Sequence, residues 1–215
     1  LCMSLLGIGV TRPGAFAEKV PVRADLLHRL SDNTSYEAGA LVEPLATPLR
    51  AVKYSVKFGD SVLITGAGPI GLFALQCSKL AGASKVYVTE VSEKRAEVAK
   101  RLGADQIFDP RKTGIDRQIV QLTGGFGPDV VVETTAVPEV IRSAQAIVTK
   151  GRIVMIVGLC PVDVPTNYIG MAVHEIQVKG IYNYSVQDFE HAARIIETKQ
   201  IDVNTIVKDK IGLSE

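Results

Sequence analysis

From about residue 59 the chain alternates two kinds of segment. Short apolar runs rich in β-branched residues fall at Ser61–Thr65, Lys85–Glu90, Asp105–Asp109, Asp129–Val132, Arg152–Val157 and Gln177–Tyr182. Between most of them lie segments with apolar residues at helical spacing: Pro69–Leu80, Ser92–Leu102, Ile115–Leu122 and Pro138–Val148. The runs are almost continuously apolar, as in Val130-Val131-Val132 and Ile153-Val154-Met155-Ile156-Val157, which is what a strand covered on both faces requires. Gly82, Gly103, Gly124 and Gly151 supply helix stop signals, and Ser92 is a suitable N-cap. Six strands joined mainly by right-handed helical crossovers predict an α/β fold, a doubly wound six-stranded parallel sheet. The fifth crossover, residues 158–176, is proline-rich and is expected not to be helical.

The two ends break the pattern. Residues 1–45 hold a strand-like stretch, Ala15–Val22, and a polar stretch, Ser31–Glu37. After the fifth crossover and sixth strand, Val186–Thr198 places Val186, Phe189, Ala193 and Ile196 on one helical face. A short apolar run, Thr205–Val207, follows. The division this implies is a remnant of a second domain at 1–45, the sheet domain at 46–184, and a return segment toward the second domain at 185–215.

The chain has 215 residues, 47% hydrophobic and 22% charged, enough for one large domain with a real core. A formal net charge of +1 without basic clusters predicts no nucleic-acid partner. The most charged stretch, Glu93–Lys100, alternates in sign and reads as a solvated helix face. Cys2, Cys77 and Cys160 form no CxxC pair or disulfide framework, which points to a reducing, cytoplasmic setting. No apolar run reaches the ~18 residues of a membrane span. The chain opens Leu1-Cys2-Met3, without an initiator methionine or a basic leader, as expected of a piece of a longer protein.

One motif carries chemistry. Gly66-Ala67-Gly68-Pro69-Ile70-Gly71 follows the strand Val62-Leu63-Ile64-Thr65 and opens a helix. In this context Gly66 permits the tight turn, Gly68 lets backbone approach a pyrophosphate, and Gly71 lets helix and strand pack closely. The helix-start amides then face an anion. The alternative is a glycine-rich turn without a ligand. Glu90 ends the second strand, 24 positions after Gly66, near the ~20 expected of an acidic residue that accepts from the adenosine ribose hydroxyls. It would repel a 2′-phosphate, so NAD is favoured over NADP; the alternative is a solvated strand-end carboxylate. Arg95 is close enough in sequence to serve the ribose or adenine, or to pair with neighbouring glutamates, and with Lys94 it leaves room for NADP. Val157-Gly158-Leu159 and Ile181-Tyr182-Asn183 end strands five and six. They either border the nicotinamide half of the crevice or simply terminate strands. The glycine turn and sheet together predict a Rossmann domain.

With these motifs, Gly39-Ala40-Leu41-Val42-Glu43-Pro44-Leu45-Ala46 and the upstream Gly7–Val20 stretch, the sequence resembles the zinc-containing medium-chain alcohol dehydrogenases. Within them it is most similar to the sorbitol (polyol), threonine and sugar-acid dehydrogenase branch. The resemblance implies that both ends belong to a GroES-like catalytic domain. It implies that Glu43 supplies a zinc ligand or touches zinc-bound water, and that Thr47 lies beside the nicotinamide. It also implies cofactor contacts at Ile70 within the Gly66–Pro69–Gly71 turn, at Glu90, Arg95 and Val157–Leu159, and at Ile181–Asn183. Cys2 matches the last cysteine of a four-cysteine structural zinc lobe. Asn183 departs from the arginine of some polyol dehydrogenases. The other catalytic ligands, a Cys and a His-Glu pair, match nothing in this chain, nor do the other three structural cysteines. His28, His174 and His191 sit outside ligand motifs, and Cys77 reads as a packing residue. Cys160 follows a strand end without a partner.

The implied activity of the whole protein is NAD-dependent oxidation of a small-molecule secondary alcohol by zinc-assisted hydride transfer. This chain is expected to bind NAD without zinc or turnover. A zinc-free quinone-type reductase and a non-catalytic dinucleotide-binding module are the rivals. The family habit of pairing subunits edge to edge implies a homo-oligomer through the sheet domain. Val162-Asp163-Val164, between Pro161 and Pro165, is the expected pairing segment within residues 161–166.

Overall fold

The computed structural model describes residues 7–207 and 210–213. The central element is a six-stranded sheet, all parallel, formed by β1 (Ser61–Thr65), β2 (Lys85–Thr89), β3 (Gln106–Phe108), β4 (Val130–Glu133), β5 (Ile153–Ile156) and β6 (Gln177–Gly180). The strand order is β3-β2-β1-β4-β5-β6, so the chain reverses direction of travel across the sheet between β1 and β4. The helices are α1 (Tyr36–Ala40), α2 (Val42–Ser55), α3 (Pro69–Leu80), α4 (Glu93–Arg101), α5 (Ile115–Leu122), α6 (Pro138–Ile147), α7 (Tyr168–His174) and α8 (Val186–Glu197).

Strand pleating explains the apolar runs. Val62 and Ile64 of β1 pack on α3 and α4 with Leu72, Leu75 and Val98. Leu63 faces the other way, into a cluster with Ile115, Ile119, Ala144 and Ile147 of α5 and α6. Gly82, Gly103, Gly124 and Gly151 all adopt positive φ after their helices, in keeping with their role as stop signals.

Several expectations are corrected. The fifth crossover contains α7: Asn167 Oδ1 accepts from the Gly170 amide at 2.9 Å to start it. Glu175, in the left-handed conformation at φ 53°, ends it. The prolines precede this helix rather than interrupt it. Ala15–Val22 forms no strand; among the described residues an isolated bridge joins Ile8 and Arg12. Ser92 occupies the N-cap of α4 but its hydroxyl caps nothing; its amide is instead drawn to Glu90. The two edges of the sheet are β3 and β6.

Helix α2 went unread in the sequence because it contains Pro44 and Pro48. Pro44 lies in the first turn, where no intrahelical N–H bond is needed. Pro48 forfeits one bond inside the helix. The loss is offset by burial of Val42, Leu45, Ala46, Leu49 and Val52 against Phe73 and Cys77 of α3 and Ala192, Ala193 and Ile196 of α8. This third cluster joins α2, α3 and α8, and residues 45 and 46 both lie inside α2.

The two ends of the sheet differ. At the strand starts, Arg152 bridges Asp60 (3.5 Å) and Asp129 (2.9 Å), and Asp129 accepts from the Ser61 amide and hydroxyl. At the strand finishes lie glycines and short turns, which form the crevice.

Candidate cofactor site

The glycine turn occupies the switch point, between the ends of β1 and β4. Gly66 has φ 88°, and a Cβ on it would come within 2.9 Å of Thr135 Cγ2. A Cβ on Gly71 would lie 1.9 Å from the Gly66 carbonyl oxygen. Both glycines are therefore demanded by the fold itself. Gly68 is not: its φ is −70°, and a Cβ there would meet nothing within 4 Å. It is the N-cap of α3 and brings no capping side chain, with Pro69 next as the first helical residue. The amides of the first helical turn have no intrahelical acceptor and point out over this open space.

Glu90 stands beside the turn and is only 6% exposed, which rules out a solvated carboxylate. Its Oε2 accepts from the Ala67 amide at 2.7 Å; its Oε1 accepts from the Val91 and Ser92 amides at 2.8 Å each. Of the roughly four lone-pair positions of a carboxylate, about one remains, on Oε2. Arg95, half-exposed on α4, lies 3.9 Å from Glu90 Oε1. A cavity of about 220 Å³ adjoins the ends of β1 and β2, lined by Thr65, Thr89, Pro110, Ile115 and Val140 among others.

On the far side of the switch point, Val157 is buried, Gly158 half-buried and Leu159 69% exposed. Ile181 is buried, Tyr182 exposed, and Asn183 adopts φ 58°. The Asn183 carbonyl accepts from Arg50 of α2 at 3.4 Å. Glu43 and Thr47, one turn apart on α2, share a helix face.

The structure adds residues that were not singled out in the sequence. Tyr184 donates its hydroxyl to Glu43 Oε1 at 3.1 Å and packs against Phe189. Burial pushes the Tyr184 hydroxyl up, and the charge and hydrogen bond of Glu43 push it the same way. A second tyrosine shortly after the sixth strand, following Tyr182, was the available signal. Thr134 donates its hydroxyl to the Thr65 carbonyl at 2.6 Å and so ties the end of β4 to the glycine turn.

The described residues alone do not supply a zinc ligand set. Among the described residues no group of three or more His, Cys, Asp or Glu side chains is placed to hold a metal ion. Glu43 is an exposed single carboxylate. Cys2 lies outside the described residues. Cys77 is buried and its thiol is pushed up to about 12 by desolvation, as suits a packing residue. Cys160 Sγ reaches only the Val162 carbonyl of its own loop, at 3.4 Å. His28 packs edge-on to Phe189, His191 is exposed, and His174 is half-buried in a separate cavity behind α6.

Residues 69–198 match the model of the zinc-binding dehydrogenases. The chain belongs to that family. It is 37% identical over 210 residues to (R,R)-butanediol dehydrogenase of Bacillus subtilis (strain 168), covering 93% of this chain and 60% of that enzyme. It is 31% identical over 204 residues to sorbitol dehydrogenase of the same organism, covering 94% and 58%. A protein of Sinorhizobium meliloti 1021 solved bound to NADP superposes with a TM-score of 0.89 at 30% identity, covering 94% of this chain and 60% of that one. The chain thus spans about three-fifths of the length of these relatives. Among the described residues no helix is long and apolar enough to cross a membrane.

Proposed function

We propose that this chain is the dinucleotide-binding part of an NAD-dependent dehydrogenase that oxidises a secondary alcohol of the polyol, sugar-acid or threonine kind. The observation that carries the reading is Gly68. A glycine stands at a position where the fold would accept a side chain, at the head of a helix and at the switch point of a parallel sheet. Open space above unpaired helix-start amides is what a pyrophosphate occupies. The bound nicotinamide supplies the hydride acceptor. The chain's own residues hold it: Gly66–Gly71 seat the pyrophosphate, and Glu90 faces the adenosine ribose with its remaining lone pair. Val157–Leu159 and Ile181–Asn183 wall the nicotinamide half. Glu43, fixed by Tyr184, and Thr47 reach the crevice from α2.

Glu90 places a negative charge where a 2′-phosphate would sit, so NAD(H) is the preferred form. Calorimetric titration of the chain with NADH and NADPH tests this. Tighter NADPH binding would overturn the preference, and Glu90→Ala should narrow the difference by roughly tenfold.

By itself the chain carries one carboxylate toward a catalytic zinc, and a catalytic site needs three protein ligands. The purified chain should therefore bind NADH, retain no stoichiometric zinc after dialysis, and leave NAD unreduced with sorbitol or threonine. Near-stoichiometric zinc by elemental analysis would show that the ligand set is misassigned. Association through the sheet edge is part of the same reading. Val162, Tyr168, Ile169 and Val173, in the segment between β5 and β6, are 59–79% exposed, and light scattering should report a dimer.

A further inference from the structure

Glu133 is the last residue of β4, in register with Thr65 of β1 and Ile156 of β5, and it is 0% exposed. Its Oε1 accepts three hydrogen bonds: from the Thr135 amide (2.6 Å), the Thr135 hydroxyl (2.5 Å) and the Ala136 amide (3.0 Å). Its Oε2 is buried and has no hydrogen-bond partner. That oxygen lies against Gly158, where a Cβ would be 2.7 Å from it and 2.5 Å from the Ala136 nitrogen. The Glu133 carbonyl accepts from the Val157 and Gly158 amides at 2.9 and 3.1 Å. Ala136 is held at φ 59°, a conformation that costs a non-glycine residue about 1–3 kcal/mol. Thr135 in turn lies against Gly66, its Cγ2 being 2.9 Å from where a Gly66 Cβ would stand.

The Glu133 carboxylate thus holds the turn after β4 and packs against Gly158, its main-chain carbonyl holds the end of β5, and Thr135 carries the contact to the glycine turn. Leaving a carboxylate oxygen buried and bare is expensive. A neutral residue would terminate β4 without that cost, so the arrangement points to a demand on geometry rather than on stability. The turns involved are those on the β4–β6 side of the switch point, opposite the half occupied by Glu90.

We propose that Glu133 is a positioning residue for the nicotinamide half of the cofactor, locking residues 134–136 and Gly158 into one rigid wall of the crevice. The inference rests on the dinucleotide-binding reading above. Its test compares a whole cofactor with its adenosine half. The chain, Glu133→Gln and Thr135→Val are each titrated with NADH and with AMP, and their melting temperatures are recorded. Glu133→Gln keeps the shape but replaces the charged acceptor and sets an NH2 group against Gly158. It should weaken NADH roughly tenfold while AMP changes by less than about twofold. Thr135→Val removes one of the three donors, leaves the carboxylate in place, and should move NADH the same way by a smaller factor. It decides the matter if Glu133→Gln does not fold. Equal weakening of NADH and AMP, or unchanged NADH binding in a folded variant, overturns the positioning role while leaving the cofactor reading intact. A parent chain that binds neither ligand overturns both.

Discussion

Two buried carboxylates flank the central strand of this sheet, and they are held differently. Glu90 spreads three backbone amides over both oxygens and keeps about one lone pair on Oε2. Glu133 crowds three donors onto one oxygen and buries the other against a glycine. In each case a strand-end acid fixes the turn that follows its strand. The Glu90 carboxylate shares its load between two oxygens, and the Glu133 carboxylate leaves one oxygen without any donor.

The largest test of that contrast is truncation. Glu133→Ala empties a fully buried site, leaves three part-buried donors without an acceptor and should cost ~3 kcal/mol, at 1–3 kcal/mol for each unsatisfied group. Glu90→Ala leaves the buried Ala67 amide without an acceptor, while the Val91 and Ser92 amides lie nearer the surface where water can replace it, and should cost less, about 1–2 kcal/mol. Urea unfolding of both variants checks this, and equal costs would erase the distinction.

Glycines sharpen it. Gly158→Ala drives a methyl into Ala136 and Glu133 and should destabilise by about 1–3 kcal/mol. Gly68→Ala meets open space and should stay within about 0.5 kcal/mol of the parent, yet lose at least roughly tenfold in NADH affinity by obstructing the pyrophosphate. Gly68→Ala binding NADH as well as the parent would remove the main support for the cofactor reading.

Asp188 is a control remote from both acids: 3% exposed, capping α8 through Ser185 and paired with Lys53 and Arg50. Burial pushes its carboxyl up, but the Ser185 hydroxyl and amide and Lys53 outweigh this and hold it below its ordinary value. A carboxyl lowered on folding contributes stability above its unfolded pKa of about 3.9 and loses it as pH falls through the folded value. Asp188→Asn should therefore cost about 1 kcal/mol at neutral pH. The gap between variant and parent should close below about pH 4, with no change in NADH affinity at pH 7. A gap that persists in acid would show that the cap, not the charge, carries the effect.

The sheet was legible because burial on both faces forces unbroken apolar runs, and because helix-ending glycines mark positive φ. The glycine turn and Glu90 followed from spacing. Helix α2 did not, since two prolines speak against a helix and only its burial between α3 and α8 outweighs them. Helix α7 was hidden for a related reason: seven residues that bury little carry no periodic signal. Glu133 looked like the polar end of a strand, and the reading stopped at Val132. Nothing local says that the turn beyond it folds back over the side chain and that β5 closes the remaining side. Tyr184 was one residue past the stretch singled out, and its partner is 141 positions away.

Helix α2 has a consequence for motion. It is one continuous rod whose first turn carries Glu43 and whose body is clamped between α3, the helix that begins at the glycine turn, and α8. Glu43 is therefore tied to α3 and α8: within Val42–Ser55 its backbone cannot be displaced without breaking the rod or shearing its clamp.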